Sequence, residues 1–309
     1  MPGKSETVDF GNFQLAKISG IKFEDLNGNG TKDQGEPGLS NWWIELDSNN
    51  NWSNVEYLSE TDADGRYIFS DLEAGTYRIR EQQKPGWTQT TANPTDIVIQ
   101  SGSDVKDVDF GNFQDVTVIG CKFDTENDPI KGWEISVGGQ TKTTGEDGCV
   151  GFSLTQAGNY DITEETRSGW TPASATGYNF DAFSGGEYGP FNFVNFENTT
   201  VQLCKVDAEG DPVEGWKVYL NDKEKTTDAR GCASYEITQP GEYIATEESR
   251  PDWTALGETS YKFFAESDGS YGPYVFTNFQ HAKITGYKFN DLDGDGVWDD
   301  GEPPIENWL

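Results

Sequence analysis

VDFGNFQ at residues 108–114 is the stretch that decides the fold, because two related phrases follow it, FNFVNFE at 191–197 and YVFTNFQ at 274–280. The asparagines of the three phrases lie 83 residues apart: Asn112, Asn195 and Asn278. A recurrence of this length indicates a tandem array of structural modules, each of which buries its own small core.

Two further landmarks lie upstream of each asparagine. The phrases YRIRE, YDITE and YIATE each end in a glutamate: Glu81, Glu164 and Glu247. The phrases ISGIKF, VIGCKF and VQLCKV each contain a lysine: Lys22, Lys122 and Lys205. The first two lysines are 100 residues apart instead of 83, so the first module carries 17 extra residues between its lysine and its glutamate.

The residues between these landmarks have the pattern of β-strands. WEISV places Trp133, Ile135 and Val137 on one face by period-two alternation, and WWIEL and WKVYL repeat this pattern in the other modules. TDADG, GEDG and DARG are turn sequences. The sequence therefore predicts an all-β protein of tandem immunoglobulin-like sandwiches in an elongated rod. We expect about seven strands per module, almost no helix, and the first and last strands of a module side by side.

The recurrence also predicts the division of the chain. Residues 17–114 form module one, 115–198 module two and 199–280 module three, while 1–16 hold the last strand of a preceding module and 281–309 the first strands of a further one. These partial units, and an N-terminus without an apolar signal core, are typical of a segment of a longer exported array. Alternatively, such partial units could join head to tail in a filament by strand addition.

Composition excludes several classes of function. The 309 residues include 54 acidic and 22 basic side chains, which give a formal net charge of −32. Such a surface repels nucleic acids and anionic membranes. No run approaches the roughly 18 apolar residues that span a bilayer, so no membrane insertion of this segment is expected. A single histidine, His281, and the lack of a catalytic motif argue against an enzyme.

Two acidic loops have the ligand spacing of calcium sites. DLNGNGTKDQGE (25–36) and DLDGDGVWDDGE (291–302) place oxygen donors at loop positions 1, 3, 5, 9 and 12, a glycine at 6 and a backbone carbonyl at 7. The predicted ligands are Asp25, Asn27, Asn29, Thr31, Asp33 and Glu36 in the first loop, and Asp291, Asp293, Asp295, Val297, Asp299 and Glu302 in the second. Strand sequences flank both loops, so we expect structural Ca²⁺ sites and none in modules two and three.

The four cysteines occupy matching positions of modules two and three. Cys121 and Cys149 are 28 residues apart, as are Cys204 and Cys232. Module one has Ile21 and Arg66 at these positions. A pair present or absent together predicts two disulfides, and hence an oxidising compartment. A zinc site is the alternative, although no histidine or CxxC motif accompanies the cysteines.

Two related families resemble this chain. Module three, with LCKVDAEGDPVEGW and YVFTNF, resembles the Cna-type B domains of bacterial surface proteins and pilins, which have prealbumin-like or immunoglobulin-like folds. Module two shares these features. Module one and the C-terminal fragment, with ISGIKFEDLNGNGTKDQGEPGL and DFGNF, resemble the calcium-binding B repeats of serine-aspartate-repeat adhesins. The resemblance implies a cell-surface structural role.

The resemblance to Cna-type domains also implies intramolecular isopeptide bonds. In that family a first-strand lysine joins a last-strand asparagine with the help of a glutamate. The matching positions here are Lys22, Glu81 and Asn112; Lys122, Glu164 and Asn195; and Lys205, Glu247 and Asn278. Burial would favour a neutral lysine amine as nucleophile and a protonated glutamate as proton shuttle. The alternative is an exposed lysine and a turn-capping asparagine.

The leading functional hypothesis is an extracellular stalk or fibre whose partners are neighbouring modules or subunits of the same protein. The alternative from another class is an adhesin that binds a glycan or a host protein. Most of the 10 tryptophans recur at core-like positions, so Trp43 and Trp52 are the candidates for ligand contact. Two sequons, at Asn51 and Asn198, are weak candidates for glycosylation.

Overall fold

A computed structural model of the chain describes residue 3, residues 6–48, residue 52 and residues 55–306. Asn51, a predicted glycosylation site, lies outside these described residues. None of the described residues is helical, and accordingly none of them forms a long apolar helix of the kind that crosses a membrane. The chain contains two compact units, residues 1–197 and 198–309, and each is described by itself below.

Module one contains nine strands in two facing sheets. One sheet has the order β4-β1-β9-β6, with β8 paired to β1, and the other has the order β3-β2-β5-β7. The strands are β1 Ala16–Glu24, β2 Trp43–Asp47, β3 Tyr57–Glu60, β4 Arg66–Leu72, β5 Gly75–Glu81, β6 Trp87–Gln89, β7 Ile97–Ile99, β8 Asp104–Val105 and β9 Phe110–Gln114.

Module two is an eight-stranded sandwich with sheets ordered β13-β10-β17-β15 and β12-β11-β14-β16. Its strands are β10 Val116–Asp124, β11 Glu134–Val137, β12 Gln140–Thr143, β13 Cys149–Leu154, β14 Gly158–Glu164, β15 Trp170–Pro172, β16 Gly177–Ala182 and β17 Glu187–Glu197.

Module three, in the second unit, repeats this topology with sheets ordered β21-β18-β25-β23 and β20-β19-β22-β24. Its strands are β18 Thr199–Asp207, β19 Lys217–Leu220, β20 Lys223–Thr226, β21 Cys232–Ile237, β22 Gly241–Glu247, β23 Trp253–Ala255, β24 Ser260–Ala265 and β25 Tyr271–Gln280.

The all-β sandwich prediction is confirmed, but the expected number of about seven strands per module was too low. Short strands such as β6, β15 and β23 account for part of the difference. Each of these has three residues, begins at a tryptophan and pairs with the last strand of its module. A segment of three residues is too short to display the alternation by which strands are found in a sequence.

The first and last strands of each module lie side by side and run parallel. The register places Lys22 opposite Phe110, Lys122 opposite Phe193 and Lys205 opposite Phe276. In each module the asparagine two residues further along the last strand is buried. The lysine and the asparagine of a module therefore reach the core from one sheet.

The glutamate of each module comes from the facing sheet. Glu81 ends β5, Glu164 ends β14 and Glu247 ends β22. These glutamates pair with residues of β2, β11 and β19, respectively. The three landmark residues of a module consequently approach one another across the interior of the sandwich.

Aromatic pairs fill the same end of every core. The tryptophan just before β2, β11 or β19 is buried and packs edge to face against the tryptophan of the short strand. The ring centroids are 5.5 Å apart for Trp42–Trp87, 5.3 Å for Trp133–Trp170 and 5.2 Å for Trp216–Trp253. The recurrent tryptophans described here therefore belong to the cores.

The two ends of the chain differ from the prediction. Residues 8–14 were expected to form a strand, and 281–309 two more. The structure shows no strand before Ala16, and Phe10 is largely exposed. Over the described part of 281–309 the ladder is reduced to a bridge between Phe289 and Pro304. A β-strand forms only where a neighbouring strand completes its hydrogen bonds. The described residues provide no continuous partner strand for these two segments.

Candidate cross-linking sites and calcium loops

The predicted lysine, glutamate and asparagine of module one meet in a buried cluster. The Lys22 ammonium nitrogen lies 3.1 Å from Glu81 Oε2 and donates to Asn112 Oδ1 at 2.6 Å. The Asn112 amide nitrogen in turn donates to Glu81 Oε1 at 2.8 Å. Both the lysine and the glutamate side chains are 0% exposed. Every pair of the trio is therefore in contact without intervening solvent.

Module two brings together the same three residue types. Lys122 Nζ is 2.9 Å from Glu164 Oε2, and again neither side chain is more than 1% exposed. Asn195 Oδ1 is buried but accepts no hydrogen bond, and Lys122 Nζ has no partner in hydrogen-bonding geometry either. A buried carbonyl oxygen without a donor is costly.

Module three has a slightly wider version of the cluster. Lys205 Nζ lies 3.6 Å from Glu247 Oε2 and donates to the Phe276 carbonyl at 3.1 Å. Asn278 Oδ1 is buried without a donor, as in module two. The lysine is fully buried here as well.

Burial favours the uncharged forms of these lysines and glutamates. Removal from water lowers the pKa of Lys22 to about 8, although the neighbouring Glu81 opposes the shift. Burial also raises the pKa of Glu81 against the opposing effect of Lys22. The short nitrogen–oxygen distance suggests an ion pair, but desolvation is the largest influence on both groups. Desolvation therefore shifts the pair away from the ion pair, toward a neutral amine hydrogen-bonded to a carboxylic acid.

The same directions hold in the other two modules. Desolvation is the main cause that lowers the pKa of Lys122 and of Lys205. It is also the main cause that raises the pKa of Glu164 and of Glu247. In all three clusters burial thus shifts the lysine and the glutamate toward the uncharged forms that amide exchange would require.

A tryptophan ring and a second cation complete each cluster, and the sequence analysis missed both. The lysine nitrogen lies over the ring of Trp42, Trp133 or Trp216, at 4.5, 4.6 and 4.8 Å from its centroid. A second cation lies over the same ring at 4.4–4.5 Å: Lys84, Arg167 and Arg250. A signal was present, since each second cation follows its glutamate by three residues.

Both predicted disulfides are formed. Cys121–Cys149 joins β10 to β13 and Cys204–Cys232 joins β18 to β21, each between residues directly opposite in the ladder. The described residues contain no free cysteine. In module one the equivalent ladder pair is Ile21 and Arg66. There the Ile21 N–H donates to the Asp109 carboxylate at 2.7 Å instead.

The first predicted calcium loop connects β1 to β2. Asp25 accepts hydrogen bonds from the N–H groups of Asn29 and Gly30, while Glu36 accepts from Leu26 and Asp33. Gly30 has φ +74°, a conformation that favours glycine in such a tight turn. The first and last ligand positions are thereby tied back into the same loop.

The donor set of this loop fits a hard cation. Asp25 is 0% exposed and Glu36 is 7% exposed, and neither forms an ion pair with a lysine or arginine of the described residues. Burying a carboxylate without a counter-charge is unfavourable. Asp25, Asn27, Asn29, Asp33 and Glu36, with the Thr31 carbonyl, are the residues that would hold Ca²⁺.

The second loop has the same internal bonding. Asp291 accepts from Gly294 and Gly296, and Glu302 accepts from Leu292 and Asp299. Carboxylate oxygens converge within 4.8 Å in two overlapping groups: Asp291, Asp293 and Glu302, and Asp293, Asp295 and Asp299. Val297 supplies the remaining predicted ligand through its backbone carbonyl.

The other candidate residues do not gather into a site. Trp43 is partly exposed, whereas Trp52 stacks on the Arg80 guanidinium at 4.1 Å from its ring centroid. Asn198 lies between modules two and three, and its amide donates to Glu236 at 3.2 Å.

Comparison with known proteins shows what the chain is similar to. Residues 16–130 match the profile of the SdrD B-like domain. The chain is 26% identical over 305 residues to serine-aspartate repeat-containing protein D of Staphylococcus aureus strain Newman, covering 83% of this chain. It is 28% identical over 207 residues to serine-aspartate repeat-containing protein F of Staphylococcus epidermidis, covering 57% of this chain. The chain spans 22% and 12% of the lengths of these relatives.

Among solved structures, the major pilin subunit BcpA of Bacillus cereus is similar, with a TM-score of 0.44 and 12% identity over 86% of this chain and 100% of the pilin. The predicted cell-surface, extracellular location agrees with the surface-protein relatives and with the two disulfides. Residues 16–130 of this chain are thus similar to the SdrD B-like domain, and the chain as a whole is similar to the serine-aspartate repeat-containing proteins.

Proposed function

We propose that this chain is a structural segment of an extracellular surface stalk, in which each module is locked internally by covalent or metal cross-links. The buried lysine–glutamate–asparagine cluster carries the proposal, because it recurs in all three modules. A stalk under tension must resist separation of its first and last strands. The cluster bridges these two strands.

The chemistry proposed for each cluster is the formation of one isopeptide bond. The neutral lysine amine attacks the asparagine side-chain carbon, and the protonated glutamate stabilises the developing oxyanion. The glutamate then gives its proton to the departing amide nitrogen and recovers one from the lysine nitrogen. The products are one lysine–asparagine amide and one ammonia, so no oxidant or cofactor is consumed.

Close packing supports this reaction in a site without a conventional enzyme mechanism. The fold holds nucleophile, acid and amide together, which removes most of the entropic cost of their encounter. Each cluster reacts once and only with its own chain. The proposal is therefore a self-directed, single-turnover reaction and not enzymatic catalysis.

Calcium is proposed to stabilise the two acidic loops in the same structural role. Bound Ca²⁺ would supply the positive charge that the buried carboxylates lack. Modules two and three have short turns at the corresponding place and carry a disulfide instead.

Intact mass of the reduced full-length chain tests the isopeptide proposal. We expect a deficit of one ammonia for each reacted module, relative to the mass calculated from the sequence. The variants Glu81→Gln, Glu164→Gln and Glu247→Gln should each restore one ammonia. Glu146→Gln is the control, because Glu146 lies in the same module but pairs with Lys131 at the surface, away from the cluster. A parent chain of full calculated mass would rule the bonds out.

A further inference from the structure

The junction between modules one and two is built around a serine–glycine turn. Gln114, the last residue of β9, donates its N–H to Ser184 Oγ at 2.7 Å. The Gly185 N–H donates to the Gln114 carbonyl at 3.0 Å. Ser184 and Gly185 lie in the turn between β16 and β17, so the end of module one is bound to the side of module two.

The same junction occurs once more in the first unit. Gln14 donates its N–H to Ser101 Oγ at 2.9 Å, and the Gly102 N–H donates to the Gln14 carbonyl at 2.7 Å. The two glycines have φ of +72° and +68°, in the left-handed region where glycine is favoured. The Gln–Ser–Gly contact is therefore a repeated joint and not a chance contact.

Ser184 differs from Ser101 because it also contacts the first calcium loop. Its hydroxyl donates to Glu24 Oε1 at 2.8 Å, and its N–H donates to the Leu26 carbonyl at 3.1 Å. Leu26 is the second residue of the loop, and its own N–H donates to Glu36 Oε1 at 2.9 Å. A single residue, Leu26, thus connects Ser184 to the predicted last calcium ligand.

A second contact seats the loop on module two. A side-chain carbon added to Gly28 would lie 3.2 Å from Ala157 Cβ, in the turn between β13 and β14. The fourth residue of the loop therefore approaches module two with almost no space between them. A cavity of about 350 Å³ beside this contact is lined by Gly28, Gln89 and Gln156, among others.

We propose that Ser184 is a latch through which module two holds the first calcium loop in its binding conformation, so that the neighbouring module raises the calcium affinity of this loop. The inference rests on the calcium binding proposed above and names its regulation. The loop carboxylates repel one another without a cation, which favours an open loop. Both the latch and the ion require the ordered loop, so each stabilises the binding of the other.

Calorimetric Ca²⁺ titration of the full chain tests the latch. The second loop is first disabled by Asp291→Ala with Glu302→Ala, so that only the first loop is measured. We expect Ser184→Ala to weaken binding by about two- to tenfold, which corresponds to the loss of one partly buried hydrogen bond. Ser184→Thr, which keeps the hydroxyl, should restore the affinity.

Two controls separate the latch from a general effect. Ser101→Ala removes the matching serine of the other joint and should leave the affinity of the first loop unchanged. With the first loop disabled by Asp25→Ala, Ser184→Ala should leave the second loop unchanged. Equal first-loop affinity in the parent and in Ser184→Ala would overturn the latch alone. Failure of the parent first loop to bind Ca²⁺ would overturn the calcium proposal and the latch together.

Hydrogen exchange provides a readout in module two itself. Because coupling between two sites is reciprocal, Ca²⁺ should slow exchange of the Ser184 N–H in the parent chain. The slowing should be smaller in Glu24→Ala, which removes the acceptor of the Ser184 hydroxyl. Calcium-independent exchange at this amide in the parent would contradict the latch.

Discussion

Modules one and two contain the same buried trio but hold its amide differently. In module one the Asn112 oxygen accepts from Lys22, and Gln83 donates to the Glu81 carboxyl at 3.0 Å. In module two the Asn195 oxygen has no donor. A buried acceptor without a donor destabilises the unreacted fold. The amide of module two is therefore less well satisfied than that of module one.

The two modules also differ in how they secure the strand that carries the lysine. In module two a disulfide joins β10 to β13 at the residue next to Lys122. In module one the strand is followed at once by the calcium loop, and the Asp25 N–H donates to the Asn112 carbonyl at 2.8 Å. One frame of strands thus accepts either a disulfide or an acidic loop, the proposed calcium site, close to the same cluster.

The largest expected effect is removal of the lysine of module two. Lys122→Met should destabilise module two by about 3–5 kcal/mol, because a buried carboxyl loses its partner and the cross-link cannot form. The measurement is thermal unfolding, with hydrogen exchange used to monitor each module separately. The surface variant Lys131→Met is the control, since Lys131 pairs with Glu146 in solvent. A loss below 1 kcal/mol would show that the cluster is not structural.

Loss of one disulfide should destabilise only the module that contains it. Cys121→Ser with Cys149→Ser should lower the free energy of unfolding of module two by about 3–4 kcal/mol in the chain-entropy description of a 28-residue separation. Module three keeps its own disulfide and serves as the internal reference. Guanidinium unfolding, with and without reductant, measures the difference. An equal loss in both modules would contradict independent locks.

Calcium removal should act mainly on module one, which has no disulfide. At Ca²⁺ about one hundredfold above Kd, the ion contributes about 2.7 kcal/mol to the module that binds it. Chelation should therefore lower the unfolding temperature of module one most, affect module two only through the Ser184 contact, and leave module three unchanged. Asp25→Ala should make module one insensitive to the chelator. A shift in module three on chelation would contradict the assignment of the loops.

The sequence predicted these modules well because their landmarks are long-range and periodic. The 83-residue recurrence placed the lysine, glutamate and asparagine of module three together although they are far apart in the chain. The cation–tryptophan contacts of Arg167 and Arg250 were missed, although each arginine follows the glutamate of its module by three residues, because this spacing alone does not indicate that the cation lies over a tryptophan. The latch was also missed, because Ser184 acquires its role only through the position of the neighbouring module.

The smallest expected effect is the pH dependence of the stability of module one, which reports the pKa of its buried lysine. In Asn112→Ala no cross-link can form, and Asn112 is not among the groups that shift the Lys22 pKa. Between pH 8 and the ordinary lysine value of 10.5, the unfolded state then binds more protons than the folded state. The stability of module one should consequently rise over this window, by about 1–3 kcal/mol.

Glu81 should give the opposite slope at lower pH in the same variant. Its pKa is raised from 4.5 in the fold, so the folded state binds the extra proton above that value and stability falls as the pH rises from there. Urea unfolding of module one at a series of pH values measures both limbs. A flat profile above pH 8 would mean that Lys22 stays charged, and the neutral amine required for cross-linking in module one would then be absent.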